Sequence, residues 1–203
     1  MILEGVVTTL APDGTLNVAP MGPDVSGGLD RFTLRPYQTS TTFKNLQANG
    51  AGVFHVTDDV WLLARAAIKQ VGAVESRPAS KVLGRILETS GRYLEFRVVA
   101  LDATGDRSRI TVETVARGEQ ATGLFGFNRA KHAVVEAAIL ATRLDFLPID
   151  QILDEFRRLA VWVEKTGGPD EIRAFKLLED HIQPEKFHEP RREHGWSTDQ
   201  NGN

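Results

Sequence analysis

Residues Arg35 to Val56 read RPYQTSTTFKNLQANGAGVFHV, and this order of residue types decides the fold: a strand end, a hydroxyl-rich turn, a short helix and a second strand. Ser40, Thr41 and Thr42 stand just before a helix-competent run from Phe43 to Ala48. Side-chain hydroxyls and free backbone N–H groups therefore converge where the helix macrodipole favours an anion. A phosphate suits that corner. Ordinary helix capping uses the same residues, so the segment alone leaves both readings open. After the helix, Gly50 and Gly52 bracket the entry to a strand from Val53 to Thr57.

Upstream of this stretch, Ile2 to Leu10 is rich in β-branched residues, and Asp13-Gly14 signals a hairpin before Thr15 to Met21. Apolar residues occupy both parities of the first strand, Ile2 and Val6 on one, Leu3 and Val7 on the other. Such a strand is covered on both faces, as in a barrel that also meets a partner subunit. Pro20 to Gly28 reads as a loop, because its prolines and glycines do not sustain a central strand. From Arg31 to Pro36 the alternation puts Phe32 and Leu34 on the core face and Arg35 on the other.

Downstream, Thr57-Asp58-Asp59 caps a largely buried helix over Val60 to Lys69. A strand near Val71 to Ser76 and a helical turn after Pro78 follow. Arg92 to Leu101 and Ser108 to Arg117 form a long hairpin about Asp102 to Asp106. The composition changes after Gly118. A glycine-aromatic connector, Gly123 to Phe127, leads to an alanine-rich helix over Arg129 to Arg143. Pro148 opens a helix striped by Ile149, Ile152, Leu153, Phe156, Leu159, Ala160 and Val163. Gly167-Gly168 ends it, and Pro169 starts a last helix carrying Ile172, Phe175, Leu178 and Ile182. From Gln183 the chain is polar and unpatterned, as a mobile tail is.

Composition narrows the function. A chain of 203 residues, 41% hydrophobic, fits one globular unit with an elaboration. A net charge of −3 with no basic block argues against nucleic acid as a partner. With no cysteine there is no disulfide, thiolate metal site or thiol nucleophile, so redox chemistry needs an organic cofactor. Neither a signal-peptide pattern nor an apolar run of about 18 residues occurs, which points to a cytoplasmic protein without a membrane partner. The five histidines show no paired metal-ligand spacing, so no metal is expected. Nucleophile elbows and Walker or dinucleotide glycine motifs are likewise missing from the sequence.

Polar groups able to share one rim are Asn17-Val18-Ala19-Pro20-Met21, Arg35 with Ser40, Thr41, Thr42 and Asn45, and His55 with Thr57 and Asp58. A flavin mononucleotide needs such a rim: a cation and hydroxyls for its phosphate, backbone donors and acceptors for the isoalloxazine edge, and an apolar floor. Singly, each residue has a plainer explanation: a surface ion pair for Arg35, a hairpin decoration for Asn17, a satisfied core histidine for His55. A second candidate is Asn128-Arg129-Ala130-Lys131, where Asn128 caps a helix and Arg129 and Lys131 oppose its dipole. Something anionic belongs nearby, be it a cofactor phosphate, a substrate carboxylate or the Asp58-Asp59 surface.

These motifs together, NVAPMG, then RPYQTSTTFKNLQANGAGVFHVTDD, resemble the FMN-binding split-barrel superfamily of flavin reductases and pyridoxamine-phosphate-oxidase-like proteins. The opening MILEGVVTT and the helical GFNRAKHAVVEAAILATR are similar to one flavin-reductase-like branch of it. The resemblance implies a predominantly β, α+β fold: an FMN-binding split β-barrel over residues 1–122, an appended C-terminal helical cluster over 123–182, and a tail over 183–203. It implies a homodimer with FMN at the interface. Ser40, Thr41 and Thr42 match the phosphate segment with Arg35 as charge partner, and Ala19, Pro20 and Met21 match the strand end that borders the isoalloxazine. His55, Thr57 and Asp58 match the strand that follows. Where flavin reductases commonly carry lysine-aspartate-threonine, this chain has Ser-Thr-Thr. The implied activity is a flavin-dependent oxidoreductase acting on an unidentified small molecule. The alternatives are a non-catalytic binder of FMN, a deazaflavin or a pterin, and a ligand-free barrel bearing a helical interaction module.

Overall fold

The computed structural model describes residues 1–105, 107–120 and 128–183. The connector Gly123–Phe127, Asp106 and the tail beyond Gln183, with His188 and His194, lie outside the described residues. Eight strands and five helices are described: β1 (Gly5–Leu10), β2 (Leu16–Met21), β3 (Arg31–Leu34), α1 (Thr41–Asn49), β4 (Ala51–Val56), α2 (Val60–Ala67), β5 (Ser76–Pro78), β6 (Arg85–Leu87), β7 (Arg92–Asp102), β8 (Arg109–Glu119), α3 (Arg129–Ala141), α4 (Ile149–Thr166) and α5 (Pro169–Ile182). The fold is mixed α+β.

Six strands form one antiparallel sheet in the order β2-β1-β4-β7-β8-β3. Hydrogen-bond phase in the first hairpin follows from its ends: Ala11 N–H donates to Thr15 C=O, and Leu3 N–H to Pro23 C=O. In that phase Asn17, Ala19 and Met21 turn their main-chain groups toward β1, while Val18, Pro20 and Asp24 turn theirs away. Asp24 accordingly exchanges both hydrogen bonds with Thr33 of β3. An isolated bridge also joins Asp24 to Ile2, so the outer sheet edge at β3 reaches back to the start of the chain. Pro20 and Met21 belong to β2, as the hairpin reading to Met21 requires, so the loop expected from Pro20 starts after them. An edge strand tolerates a proline whose nitrogen faces away from its neighbour.

Three apolar clusters are buried among the described residues, two of them against the sheet and one among the helices. The first holds Val7, Phe32, Leu34, Phe43, Leu46, Phe54, Phe96, Ile110 and Val112. Here Phe43 and Leu46 plug α1 against the sheet. The helical one gathers α3, α4 and α5, and it includes Val60, Leu63 and Ala64 of α2. Every residue of β1 is buried, and both faces are covered by this chain itself: Val7 lies in the first core, while Val6 meets Leu62 and Leu87.

The stretch after α2 departs from expectation. Instead of a helical turn after Pro78, β5 and β6 pair as a small second sheet. Glu95 explains the turn between them, for its buried carboxylate accepts hydrogen bonds from Ser80 N–H (3.0 Å), Ser80 Oγ (2.9 Å) and Lys81 N–H (2.6 Å). On α5, Ile172 is exposed and Ala174 takes the buried position.

Candidate functional site

The first turn of α1 gives the site its shape. Ser40 is the N-cap: its Oγ accepts from Phe43 N–H at 3.2 Å and donates to Tyr37 C=O at 2.7 Å. The helix begins at Thr41, earlier than the apolar run suggested, so Thr41 and Thr42 lie within it. Their amides have no intrahelical acceptor, as in the first turn of any helix. Thr41 is exposed, and Thr42 is buried. Gly50 closes the helix in the left-handed conformation at φ 63°, its N–H donating to Leu46 C=O.

Behind that turn lies a buried polar knot. Asn17 Nδ2 donates to Thr9 Oγ1 and to Thr42 Oγ1, both at 3.1 Å, and Asn45 Nδ2 donates to Thr9 Oγ1 at 3.1 Å. These bonds tie β2, β1 and α1 into one corner. Thr9 is the hub, a residue the sequence reading passed over. Two adjacent threonines, Thr8 and Thr9, in a strand apolar at both parities are the signal that marks it.

Arg35 follows β3 on the face opposite Phe32 and Leu34, exposed, and among the described residues it makes no side-chain hydrogen bond or ion pair. Beside this corner, β2 is the open end of the sheet. Its outward main-chain groups are those of Leu16 and Val18 and the Pro20 C=O, so the Val18 N–H is followed along the edge by two acceptors, Val18 C=O and Pro20 C=O. Ala19 and Met21 are partly buried on the same face as Asn17, and Met21 packs on the first core.

His55 stands apart from this corner. It is fully buried, with Nδ1 3.3 Å from Val6 C=O and Nε2 accepting from Leu87 N–H at 3.0 Å. The bonds define a neutral ring protonated on Nδ1, and burial pushes its pKa down to about 4 against the small opposing effect of the Val6 carbonyl. It pins β6 to β1.

Thr57 and Asp58 meet the helical cluster instead. Thr57 Oγ1 accepts from Asp59 N–H at 3.1 Å, and Asp59 caps α2 through Leu62 N–H at 2.8 Å. Asp58 forms an ion pair with Lys131. Asn128 caps α3 by accepting from Lys131 N–H (3.0 Å) and ties it to the end of α4 by donating to Thr166 C=O (3.0 Å). Arg129 lies over the Trp162 ring, 4.7 Å from its centroid. Of the anions that the basic first turn of α3 could meet, Asp58 is the one paired with Lys131 here, while Arg129 has an aromatic face. The structure brings Asn17, Ser40, Thr41, Thr42 and Asn45 to one corner and Asp58, Asn128 and Lys131 to another.

Two concavities are found elsewhere, one of about 190 Å³ beside α2 and one of about 260 Å³ between α3 and α4. At the α1 corner Arg35 and Thr41 are exposed. Among the described residues no three His, Asp or Glu side chains gather as a metal site, and no helix is long and apolar enough to cross a membrane.

Comparison with known families follows this division of the chain. A family model described as "Protein of unknown function (DUF447) N-terminal domain" matches residues 3–121, and one described as "Protein of unknown function (DUF447)" matches residues 128–180. The chain belongs to the DUF447 family. Among solved structures, this DUF447 chain is similar to the FMN-bound DUF447 protein MM1853 from Methanosarcina mazei, with TM-score 0.78 and 23% identity over 89% of this chain and 94% of that one. It is also similar to the NADH:FAD oxidoreductase SgcE6 from Streptomyces globisporus (TM-score 0.50, 15% identity, 58% of this chain, 70% of that one). A flavoredoxin from Methanosarcina acetivorans gives TM-score 0.50 and 13% identity over 61% of this chain and 72% of that one. At these identities the likeness is one of fold. No curated protein matches the chain.

Proposed function

We propose that this chain is an FMN-binding flavoprotein of the split-barrel type and acts as a flavin-dependent oxidoreductase on a small molecule. The observation that carries the reading is the α1 corner: amides at Thr41 and Thr42 without an intrahelical acceptor, an exposed Thr41 hydroxyl and an Arg35 that has no side-chain partner among the described residues, backed by a buried knot that ties down the helix start. Amides at a helix start, a hydroxyl and a guanidinium are the donor set a dianionic phosphate takes. The FMN bound to the similar DUF447 protein supports the same cofactor here. The Asp24 bridges support closure of the sheet into a split barrel, with residues 1–122 as its span and 123–182 as the helical addition.

FMN, when bound, supplies hydride or electron transfer. The chain's own residues bind and orient it. Arg35 and Thr41 hold the phosphate, and Thr42 positions the turn through Asn17. The Val18 and Pro20 main-chain groups face the isoalloxazine edge, offering one donor followed by two acceptors. Because Arg35 and Thr41 are exposed in a single chain, a second copy covering them gives the homodimer, with FMN between subunits.

The test is direct. Freshly purified protein is expected to show a flavin absorption spectrum and to release FMN by mass. Arg35→Ala and Thr41→Val are each expected to weaken FMN binding roughly tenfold, as loss of a charge-assisted bond does. Unchanged affinity in both variants would falsify the phosphate assignment. Light scattering that returned a monomer in the FMN-loaded state would remove the interface site. Flavin binding without NAD(P)H oxidation or coupled re-oxidation would leave a binder and no enzyme.

A further inference from the structure

Tyr37 and Phe146 come from distant parts of the chain, the β3–α1 turn and the α3–α4 corner, yet their rings are parallel to within 5° with centroids 6.4 Å apart. That separation is near the far end of the stacking range, so neither ring covers the other's face. Tyr37 is 43% exposed and Phe146 68%. An aligned pair of exposed aromatic rings is an apolar platform that a solvated surface gains nothing by presenting.

The platform is attached to the phosphate corner. The Tyr37 carbonyl accepts from Ser40 N–H (3.0 Å) and Ser40 Oγ (2.7 Å), so the ring and the cap of α1 are parts of one turn. The orientation of the ring is fixed from the β8 side, where the Arg107 guanidinium lies 4.2 Å from its centroid and Arg107 Nη2 donates to Tyr37 Oη at 2.9 Å. A planar ligand with negative charge finds here a stacking surface and a guanidinium, with Arg35 two residues away in sequence.

We propose that Tyr37 and Phe146 receive the adenine ring of an adenine dinucleotide, with Arg107 and Arg35 supplying positive charge to its diphosphate. The inference rests on the reading of the α1 corner as the flavin phosphate site. In a mononucleotide the chain of the ligand ends at that phosphate. In a dinucleotide it continues through a second phosphate to adenosine, and the platform stands one turn away. The adenosine diphosphate group has two sources, FAD itself or a pyridine dinucleotide that reduces bound FMN.

The full chain carries two tyrosines, so 3-fluorotyrosine labelling gives two fluorine resonances, with Tyr93 as the internal control. ADP is the direct probe: it should shift the Tyr37 resonance and leave Tyr93 in place, whereas FMN alone should leave Tyr37 unmoved. A shift with FAD, but none when NADPH is added to FMN-loaded protein, assigns the adenine to the flavin. The reverse assigns it to the reductant. Phe146→Ala should weaken ADP binding roughly tenfold, with FMN affinity unchanged and Phe146→Trp restoring the loss. If FMN binds while ADP, FAD and NADPH all leave Tyr37 unmoved, the platform proposal is overturned and the flavin reading stands. A Tyr37 shift with FMN alone also overturns it, because the rings then serve the flavin itself. A shift with ADP in a protein that takes no FMN retains the platform and removes the flavin reading.

Discussion

At His55 the competing interpretations of one side chain are separated by its bonds. The ring is neutral in the folded protein, with a pKa near 4 against an ordinary value of 6.5. Below pH 6.5 the unfolded chain therefore binds a proton that the folded chain refuses, and stability falls as pH drops from 6.5 toward 4. The loss amounts to on the order of 3 kcal/mol at the lower limit. Urea midpoints measured between pH 7 and pH 4 are expected to decline over this interval, and to decline less in His55→Gln, whose midpoint at pH 7 is already lower. Equal slopes in the two proteins would remove His55 as the cause. Glu95 works through the opposite charge. Burial would raise its pKa, but the Ser80 and Lys81 N–H groups and the Ser80 hydroxyl outweigh that and hold it below the usual carboxylate value. Its contribution is present above the unfolded carboxylate range and is lost as pH falls through the lowered value. Glu95→Gln should cost about 2 kcal/mol at neutral pH, read by chemical denaturation, because an amide replaces a charge that accepts several bonds. The sequence offered a satisfied core histidine as one reading of His55 without deciding for it, and it gave no sign of the environment of Glu95. His55 lies on a strand covered on both faces, where parity does not sort core from rim, and the partners of Glu95 lie in a turn with no periodicity of its own.

Among the elements, α1 was readily legible and the stretch of β5 and β6 the least so, with β2 in between. Hydroxyls before an apolar run marked the helix start, and Phe43 and Leu46 are buried as the pattern required. What the pattern missed was phase: the helix takes in Thr41 and Thr42, so adjacent threonines face opposite ways, one exposed and one bonded to Asn17. The two should therefore separate experimentally. Thr42→Val leaves Asn17 short of an acceptor and should lower stability by about 1 kcal/mol. Thr41→Val should leave stability nearly unchanged while weakening FMN binding. A thermal melt and an FMN titration on both variants check this, and a reversal of the pattern would exchange their roles. For β2, proline and glycine argued for a loop from Pro20 onward. That inference holds for a central strand, whereas here the proline faces an open edge and the strand continues into the Asp24 bridges.

Across the whole molecule, the sheet and the helical cluster are less separable than the change of composition after Gly118 suggests. Helix α2 is encoded in the first half of the chain, yet Val60, Leu63 and Ala64 lie in the core built by α3, α4 and α5. Trp61 extends this union, its ring lying under Arg65 of its own helix and Arg173 of α5, at 5.0 and 3.9 Å from its centroid. The Asp58–Lys131 ion pair and the Phe146 contact on Tyr37 join the halves at two further places. Each helix was legible by its own period, but which core α2 served was not, since an amphipathic stripe records that a face is buried and not against what. A chain stopped after Gln120 would present the buried face of α2 to water, a contiguous apolar surface of the size that drives association. Such a fragment should bind a hydrophobic dye strongly, elute as aggregate on gel filtration and melt well below the full chain. Substituting Val60 and Leu63 by polar residues in the same fragment should recover solubility, because the cost of their exposure disappears together with the partner they lost. A fragment that stayed monodisperse and melted with the full chain would show the sheet to be self-sufficient, and the helices would then be an attachment that can be removed.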